Sequence, residues 1–211
     1  MDFLQKQKSV YIGKINTSEK EIRDLIKAWI AISIAFAIIM KGSLGLGFYQ
    51  VFIVASIAVG TGFLLHELGH KIVAQRYGCF AEFRSFDQML ILAILMSYFL
   101  GVLFAAPGAV MINGPLGVRR NGKISAAGPV VNLVLAVAFL LLALTIPLTG
   151  ILKATVFYGF YINSWLALFN MIPIWNLDGV KILRWNKTAY GSIVAVALLL
   201  IFLQNFISIA S

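Results

Sequence analysis

The sequence predicts an all-α polytopic membrane protein with about five full transmembrane helices, a re-entrant or interfacial apolar segment and a small membrane-associated β-hairpin. Three observations predict this fold class. The 211 residues are 61% hydrophobic and only 12% charged, and their mean hydropathy is +0.93. Apolar runs of membrane-spanning length recur along the chain and leave no room for a soluble domain. Two Asn-Gly pairs mark tight turns. Residues 1–211 are therefore expected to form a single membrane-embedded domain.

The boundaries of the apolar runs predict the helical elements in order. Residues 1–24 are polar, carry both charges and contain no cleavable signal peptide, so we expect a cytoplasmic amino-terminal segment in which Thr17 or Ser18 caps a helix. Pro129 fits the first turn of one span, and Pro173 ends another because it interrupts the helical hydrogen bonds. The five expected spans are 25–47, 48–77, 128–148, 154–172 and 189–209.

A different pattern covers residues 109–126. Short β-capable pieces flank two turn signals, Asn113-Gly114 and Asn121-Gly122. This pattern predicts a small β-hairpin or meander with Arg119, Arg120 and Lys123 near its tip.

The most informative polar stretch, His66-Glu67-Leu68-Gly69-His70, ends the apolar run of the second span. Positions i and i+4 of a helix share a face, so His66 and His70 can offer two imidazoles to one metal ion, with Glu67 beside them. Two imidazoles and a carboxylate are costly to bury near lipid unless they are paired or bound to metal. The spacing therefore predicts a zinc site with the chemistry of a hydrolase.

A catalytic zinc normally has three protein ligands and one open position. His66 and His70 are the only histidines, so the third ligand must come from another residue type. Asp178 is the one acidic residue between Gln88 and Ser211, and it follows a helix that Pro173 interrupts. A carboxylate near lipid points to function. Asp178 is the predicted third ligand.

Together these residues resemble the site-2 protease family of intramembrane zinc metalloproteases. The resemblance covers about residues 48–185, the expected catalytic core, and the chain is similar to minimal prokaryotic members that lack PDZ and CBS domains. Three motifs carry it in the same order as in the family. They are the HExxH helix at His66–His70, the Gly-Pro-x-x-Asn feature at Gly128, Pro129 and Asn132, and the Asn-x-x-Pro and Leu-Asp-Gly motif at Asn170, Pro173 and Leu177-Asp178-Gly179.

The resemblance implies a zinc metalloendopeptidase in which one Zn²⁺ is held by His66, His70 and Asp178, with Glu67 as general base and acid. Its implied substrate is a transmembrane segment of another protein. Such a helix must unwind before attack, and an edge of the 109–126 hairpin could hold the unwound strand.

Two asparagines are candidates for substrate binding. Asn170 and Asn132 are amides in otherwise apolar helices, and either could donate a hydrogen bond to the developing oxyanion or position the substrate. The alternative for each is a structural hydrogen bond between helices.

A shared metal ion also constrains the topology. The ends of the second and fourth spans must lie on the same side, so the apolar stretch 89–106 cannot cross fully and should be re-entrant or interfacial. Under this arrangement every lysine and arginine except Lys41 and Lys153 lies inside, as the positive-inside rule requires. The expected setting is a multi-pass protein of the cell membrane, with its amino terminus and active-site opening cytoplasmic.

The positive-inside rule also accounts for the net charge of +9, so we expect membrane lipid and no nucleic acid as a partner. Two other functions stay open. A prenyl-protein-processing zinc protease also uses HExxH, but that class takes a glutamate as third ligand and this chain has none after Glu82. A non-catalytic metal-binding membrane protein or transporter would not need Glu67. The oligomeric state is left open.

Overall fold

The computed structural model describes residues 9–12, 15–103 and 107–207, and this part of the chain is mostly helical. Two short antiparallel strands, β1 (Ser9–Ile12) and β2 (Ile15–Ser18), precede helix α1 (Glu19–Leu44). Ser18 is the helix cap, since its hydroxyl accepts a hydrogen bond from the backbone amide of Glu21 at 3.2 Å. The cap was predicted, but the helix it starts continues without interruption into the first span.

The second span is one long helix that changes its winding near the middle. It consists of α2 (Phe48–Ala55), a π-helical turn (Ser56–Gly60) and α3 (Thr61–Arg76). In the π-helical turn the amide of Thr61 donates to the carbonyl oxygen of Ser56, five residues earlier. Such turns are rare and often lie at functional sites. Nothing in the sequence predicted this one.

The predicted hairpin within 109–126 is wrong in its pairing. The strand β4 (Gly108–Asn113) does form, but its antiparallel partner is β3 (Phe80–Ser85), far back along the chain. Residues from Val118 onward are helical, so Asn121-Gly122 forms no turn. The reason is tertiary packing: a side chain at Gly122 would meet Trp185 at 2.2 Å, and only glycine allows the two helices to approach this closely.

The apolar stretch between β3 and β4 returns to its starting point. Its helix, α4 (Asp87–Leu100), has 14 residues, which corresponds to roughly 21 Å and is short for a bilayer core of about 30 Å. Ser85 pairs directly with Gly108, so the chain enters and leaves this segment at one place. Lys27 of α1 binds Asp87 at the start of α4 at 2.7 Å. This geometry agrees with a segment that does not cross.

The remaining helices are α5 (Val118–Thr145), α6 (Gly150–Asn170), α7 (Asp178–Trp185) and α8 (Lys187–Ile207). α5 starts well before the expected boundary at 128, and Pro129 lies inside it and not in its first turn. α5 packs against α3, α6 and α7. These contacts stabilise the helix on both sides of the proline, which by itself would weaken it.

Within the described residues, four helical segments are long and apolar enough to cross a membrane: Glu19–Gly42, Phe48–Arg76, Val118–Thr145 and Lys187–Ile207. The further span expected at 154–172 corresponds to α6, which is not among these four, so the predicted count of five full spans is not confirmed. α6 has 21 residues and carries the buried polar side chains of Asn163 and Ser164. α6 packs against α5, the π-helical turn and α8. The expected segments 1–24 and 189–209 extend in part outside the described residues.

A buried ion pair fixes α1 and β3 to the helix that carries the histidines. Lys71, the residue after His70, binds the carboxylate of Glu21, and both side chains are at most 2% exposed. Glu21 also accepts hydrogen bonds from the Thr17 hydroxyl at 2.7 Å and from the Phe83 amide at 2.9 Å. A buried charge is tolerated when all its partners are in place, so this cluster holds the sheet against α3.

Candidate metal centre

α3 brings His66, Glu67 and His70 together in the interior of the protein. Their exposed fractions are 5%, 9% and 8%. The Nε2 atoms of the two histidines lie 3.0 Å apart, and their rings are nearly perpendicular at 86°. Two imidazole lone pairs at this distance repel each other unless a proton or a cation lies between them. The arrangement is therefore suited to a shared cation.

Asp178 reaches the same point from the other end of the chain. α6 ends at Asn170, and after an irregular turn through Pro173 the carboxylate of Asp178 starts α7. A side chain at Gly179 would lie 2.2 Å from the carbonyl oxygen of Met171, so glycine allows α7 to fold back closely here. The turn directs the Asp178 carboxylate to the histidines, with Oδ2 3.1 Å from His70 Nε2 and 3.4 Å from His66 Nε2.

The three atoms form a triangle that fits zinc. Its edges are 3.0, 3.1 and 3.4 Å, while tetrahedral ligands at 2.0–2.2 Å from zinc are roughly 3.3 Å apart. Two neutral imidazoles and one carboxylate are also a donor set that zinc accepts. The Glu67 carboxylate lies within 4.8 Å of both histidine ligand atoms, close enough to act on a group bound there.

The Nδ1 atom of each imidazole, on the side of the ring away from the other histidine, is hydrogen-bonded. His70 Nδ1 lies 2.8 Å from the carbonyl oxygen of Ile124 in α5. A carbonyl can only accept, so Nδ1 carries a proton and Nε2 is the ring nitrogen left to face the proposed metal. His66 Nδ1 lies 2.5 Å from Asn132 Oδ1, also in α5. These contacts set ring orientation and tautomer in the form that binds a metal through Nε2.

Gly128 leaves the space that a metal needs. It lies in α5 directly over the two rings, and a Cβ atom there would come within 2.5 Å of Nε2 of both His66 and His70. Any larger residue would occupy the position between the ligands. The space that Gly128 leaves is thus part of the candidate site.

Opposing influences act on Asp178. Burial by itself would raise the pKa of its carboxyl group, but attraction to His70 and hydrogen bonds with both histidines lower the pKa well below its usual range. A metal cation in the place of the histidine protons would act in the same direction. The ionised carboxylate is the form of Asp178 that can bind a metal.

Glu67 is held by the sheet. Its Oε2 atom accepts a hydrogen bond from the backbone amide of Val110 in β4 at 3.2 Å. Phe83 of β3 is paired with Val110, but its amide points away from β4 and donates to Glu21. The Val110 amide therefore belongs to the free edge of β4, and that edge faces the metal centre.

The two asparagines proposed for substrate binding differ in their positions. Asn132 is fully buried, and its amide group is directed to His66, Gly62 and Asn163. Its NH₂ group donates to the Gly62 carbonyl and to Asn163 Oδ1, and its oxygen faces His66. Asn170 lies at the end of α6 and donates to the carbonyl oxygen of Leu166 in its own helix at 2.9 Å.

Sequence reasoning missed three contributors to the site. Asn163 is an amide in an apolar helix, the same signal that singled out Asn132, and could have been found by it. Gly128 was noted only as part of a motif, because spacing does not show what a glycine faces. The Ile124 carbonyl carries no sequence signal, since every residue has one.

Comparison with known proteins finds relatives that carry the name zinc metalloprotease. Over 170 residues the chain is 42% identical to a protein of Methanocaldococcus jannaschii that carries the provisional name zinc metalloprotease MJ0611, and the match covers 80% of this chain and 86% of the relative. Over 136 residues it is 31% identical to a Mycobacterium tuberculosis protein provisionally named zinc metalloprotease Rip2, covering 57% of this chain and 52% of that relative. No family profile and no solved structure matches the chain.

Proposed function

The chain belongs to the zinc metalloprotease family of these two relatives, of the site-2 protease type, and from this premise we propose that it is an intramembrane protease. It hydrolyses peptide bonds within or near the transmembrane segments of other membrane proteins. The observation that carries the proposal is the convergence of Asp178 on His66 and His70, with Glu67 beside them on a helix long and apolar enough to span a membrane.

His66, His70 and Asp178 hold one Zn²⁺ in the proposed enzyme. Their ligand atoms have the spacing of a tetrahedral site, and Gly128 leaves room for the ion. Zinc at this position supplies Lewis acidity and favours ionisation of a water molecule at neutral pH. The nearly complete burial of the ligands strengthens this electrostatic effect.

Glu67 acts as general base and then as general acid. Its carboxylate takes one proton from water as the oxygen adds to the peptide carbonyl. It then returns this proton to the amide nitrogen as the C–N bond breaks, so that water is divided between the new carboxylate and the amine. The hydrogen bond from the Val110 amide keeps the Glu67 carboxylate oriented towards the centre.

The proposed substrate is a transmembrane segment that has lost its helical hydrogen bonds. A helix hides its carbonyl groups in its own hydrogen bonds, so the scissile bond becomes accessible only after local unwinding. The edge of β4 that carries the Val110 amide can pair with such an extended segment by strand addition. This would place the substrate backbone next to Glu67.

Replacement of Ile112 by proline tests the strand-addition step. Amides alternate along a strand, so the Ile112 amide is expected on the same edge as that of Val110. We expect Ile112→Pro to lower kcat/KM for a transmembrane substrate at least about tenfold, because it removes one backbone donor. Ile112→Ala keeps the amide and serves as the control. Unchanged cleavage by a folded, zinc-bound Ile112→Pro variant would refute strand addition.

We further propose that the amino terminus and the opening of the site face the cytoplasm, with Lys153 on the opposite side. The pairing of Ser85 with Gly108 supports this topology, because it brings both ends of the α4 segment together. The distribution of basic residues supports it independently.

Cysteine accessibility tests this topology. In a Cys79→Ser background, we expect Phe86→Cys and Arg120→Cys to react with a membrane-impermeant maleimide from the same face. Lys153→Cys should react from the other face. The parent without cysteine provides the blank. Labelling of positions 86 and 120 from opposite faces would show that the α4 segment crosses the membrane.

The protease function itself is tested by reconstituting the purified protein with a model single-span substrate in lipid vesicles. Appearance of two fragments is followed over time for wild type and for Glu67→Gln. Zinc content is measured in parallel, so that loss of metal and loss of proton transfer are distinguished.

A further inference from the structure

Asn163 connects three helices at a position away from the reacting groups. Its side chain lies in α6 and is fully buried. The Nδ2 atom donates to the carbonyl oxygens of Ala58 at 3.0 Å and Gly159 at 2.8 Å. The Oδ1 atom accepts a hydrogen bond from Asn132 Nδ2 at 2.9 Å. Asn132 in turn contacts His66.

We propose that Asn163 is a positioning residue of the metal centre: through Asn132 it holds His66 in the tautomer whose Nε2 atom is free to bind the metal. This inference rests on the proposed function, since it concerns the same zinc site. It adds a residue that makes no contact with the ion or the ligand atoms.

The backbone carbonyls at one end of this series of hydrogen bonds determine the direction of every bond in it. Backbone carbonyls can only accept, so the NH₂ group of Asn163 must face Ala58 and Gly159. Its oxygen then faces Asn132, which must turn its own NH₂ group towards Asn163. The Asn132 oxygen is left to face His66, and Nδ1 of that ring must carry the proton.

The π-helical turn and a glycine make this arrangement possible. Ala58 lies within Ser56–Gly60, where the regular i to i−4 hydrogen-bond pattern is interrupted, so its carbonyl can accept from a side chain. A Cβ atom at Gly62 would lie 2.4 Å from Asn163 Oδ1, so this position has room for the amide only because it is glycine. The irregular turn therefore connects to the metal centre through two side chains.

The tautomer of His70 does not depend on this series of hydrogen bonds. Its Nδ1 proton goes directly to the Ile124 carbonyl, which has a single possible direction. The two histidines thus differ in how their tautomers are set. His66 relies on two amides that could rotate, whereas His70 relies on backbone alone, and it provides an internal reference for any experiment.

Histidine-selective ¹⁵N NMR of the full-length, zinc-loaded protein reads this difference directly. Because the chain has only two histidines, the spectrum contains two imidazoles. In wild type we expect both rings to bind zinc through Nε2 and to show protected Nδ1–H signals. In Asn163→Leu, the His66 Nδ1–H signal should shift and exchange faster with solvent, while that of His70 stays unchanged. Coordination of His66 through Nδ1 in wild type would overturn the proposal without any variant.

Zinc affinity provides the second measurement, made by competition with a chelating indicator. Outer partners of ligating histidines typically change metal affinity 10–100-fold, and we expect a loss in this range for Asn163→Leu. Ser164→Ala is the matched control, because Ser164 is equally buried in the same helix and its hydroxyl donates to the Phe160 carbonyl of that helix. It should retain wild-type affinity. Equal affinities in the two variants would overturn the proposal.

A double-mutant cycle separates this role from general packing. If Asn163 acts through Asn132, the double variant Asn163→Leu/Asn132→Leu should bind zinc about as weakly as Asn132→Leu alone. Additive losses would contradict the relay. Wild type that binds no zinc would overturn the proposed function as well, whereas zinc-binding wild type with an unaffected Asn163→Leu variant would overturn only the role of Asn163.

Discussion

Glu67→Gln is expected to lower substrate cleavage by about 100- to 10,000-fold, the usual contribution of general acid–base catalysis, while the protein still binds one zinc ion. Glutamine has nearly the same shape and keeps an oxygen that can accept from the Val110 amide. It cannot take up a proton from water at neutral pH. The three proposed ligands are untouched. The effect should therefore appear in kcat, measured as the rate of fragment formation at saturating substrate.

Glu82→Gln is the matched control for this experiment. Glu82 is another largely buried glutamate, but its carboxylate pairs with Arg84 in β3. We expect its cleavage rate to stay within about threefold of wild type, because one partly exposed ion pair contributes little. If Glu67→Gln cleaves as fast as wild type, Glu67 is not the general base and the mechanism is wrong.

Gly128→Ala is expected to lower zinc affinity more than about 100-fold, and cleavage with it. The added methyl group would lie 2.5 Å from Nε2 of both His66 and His70, well inside contact distance. Alanine is otherwise favoured over glycine in a helix by roughly 1 kcal/mol. The loss should thus occur without unfolding, and circular dichroism together with zinc titration will distinguish the two effects.

Gly117→Ala is the same exchange at the start of the same helix. Among the described residues, no atom lies within 4 Å of a Cβ atom placed at Gly117, and its φ of −77° is open to any residue. Zinc affinity and cleavage should be unchanged. A Gly128→Ala protein that binds zinc as tightly as this control would show that the ion does not lie between the two imidazoles.

The extent of sequence-based prediction is clearest for Asp178. It was singled out because so few acidic residues exist in this chain, and its carboxylate lies 3.1 Å from His70 Nε2. Scarcity is informative here because lipid makes each buried charge costly. The requirement that one ion join His66, His70 and Asp178 gave a second prediction, that the stretch 89–106 does not cross, and the pairing of Ser85 with Gly108 is compatible with it.

The prediction of a hairpin was wrong because it relied on a local turn signal. Asn121-Gly122 has the composition of a turn, but its glycine serves close packing against Trp185, and the local signal is overridden by a distant contact. β4 formed as predicted, yet its partner lies before α4. Strand pairing of this kind depends on which segments the helices bring together, and residue spacing does not encode it.

The sequence by itself determined the class of protein and the candidate ligands, because hydrophobicity and the rarity of charge are properties of single residues and short spacings. Only the tertiary structure decided how the ligands are held. The hydrogen bonds that Asn132 and Ile124 accept from the histidines and the contact between Asn132 and Asn163 join different helices, and the gap at Gly128 lies where α5 faces α3. Such contacts are set by the packing of whole helices, so they became visible only in the folded chain.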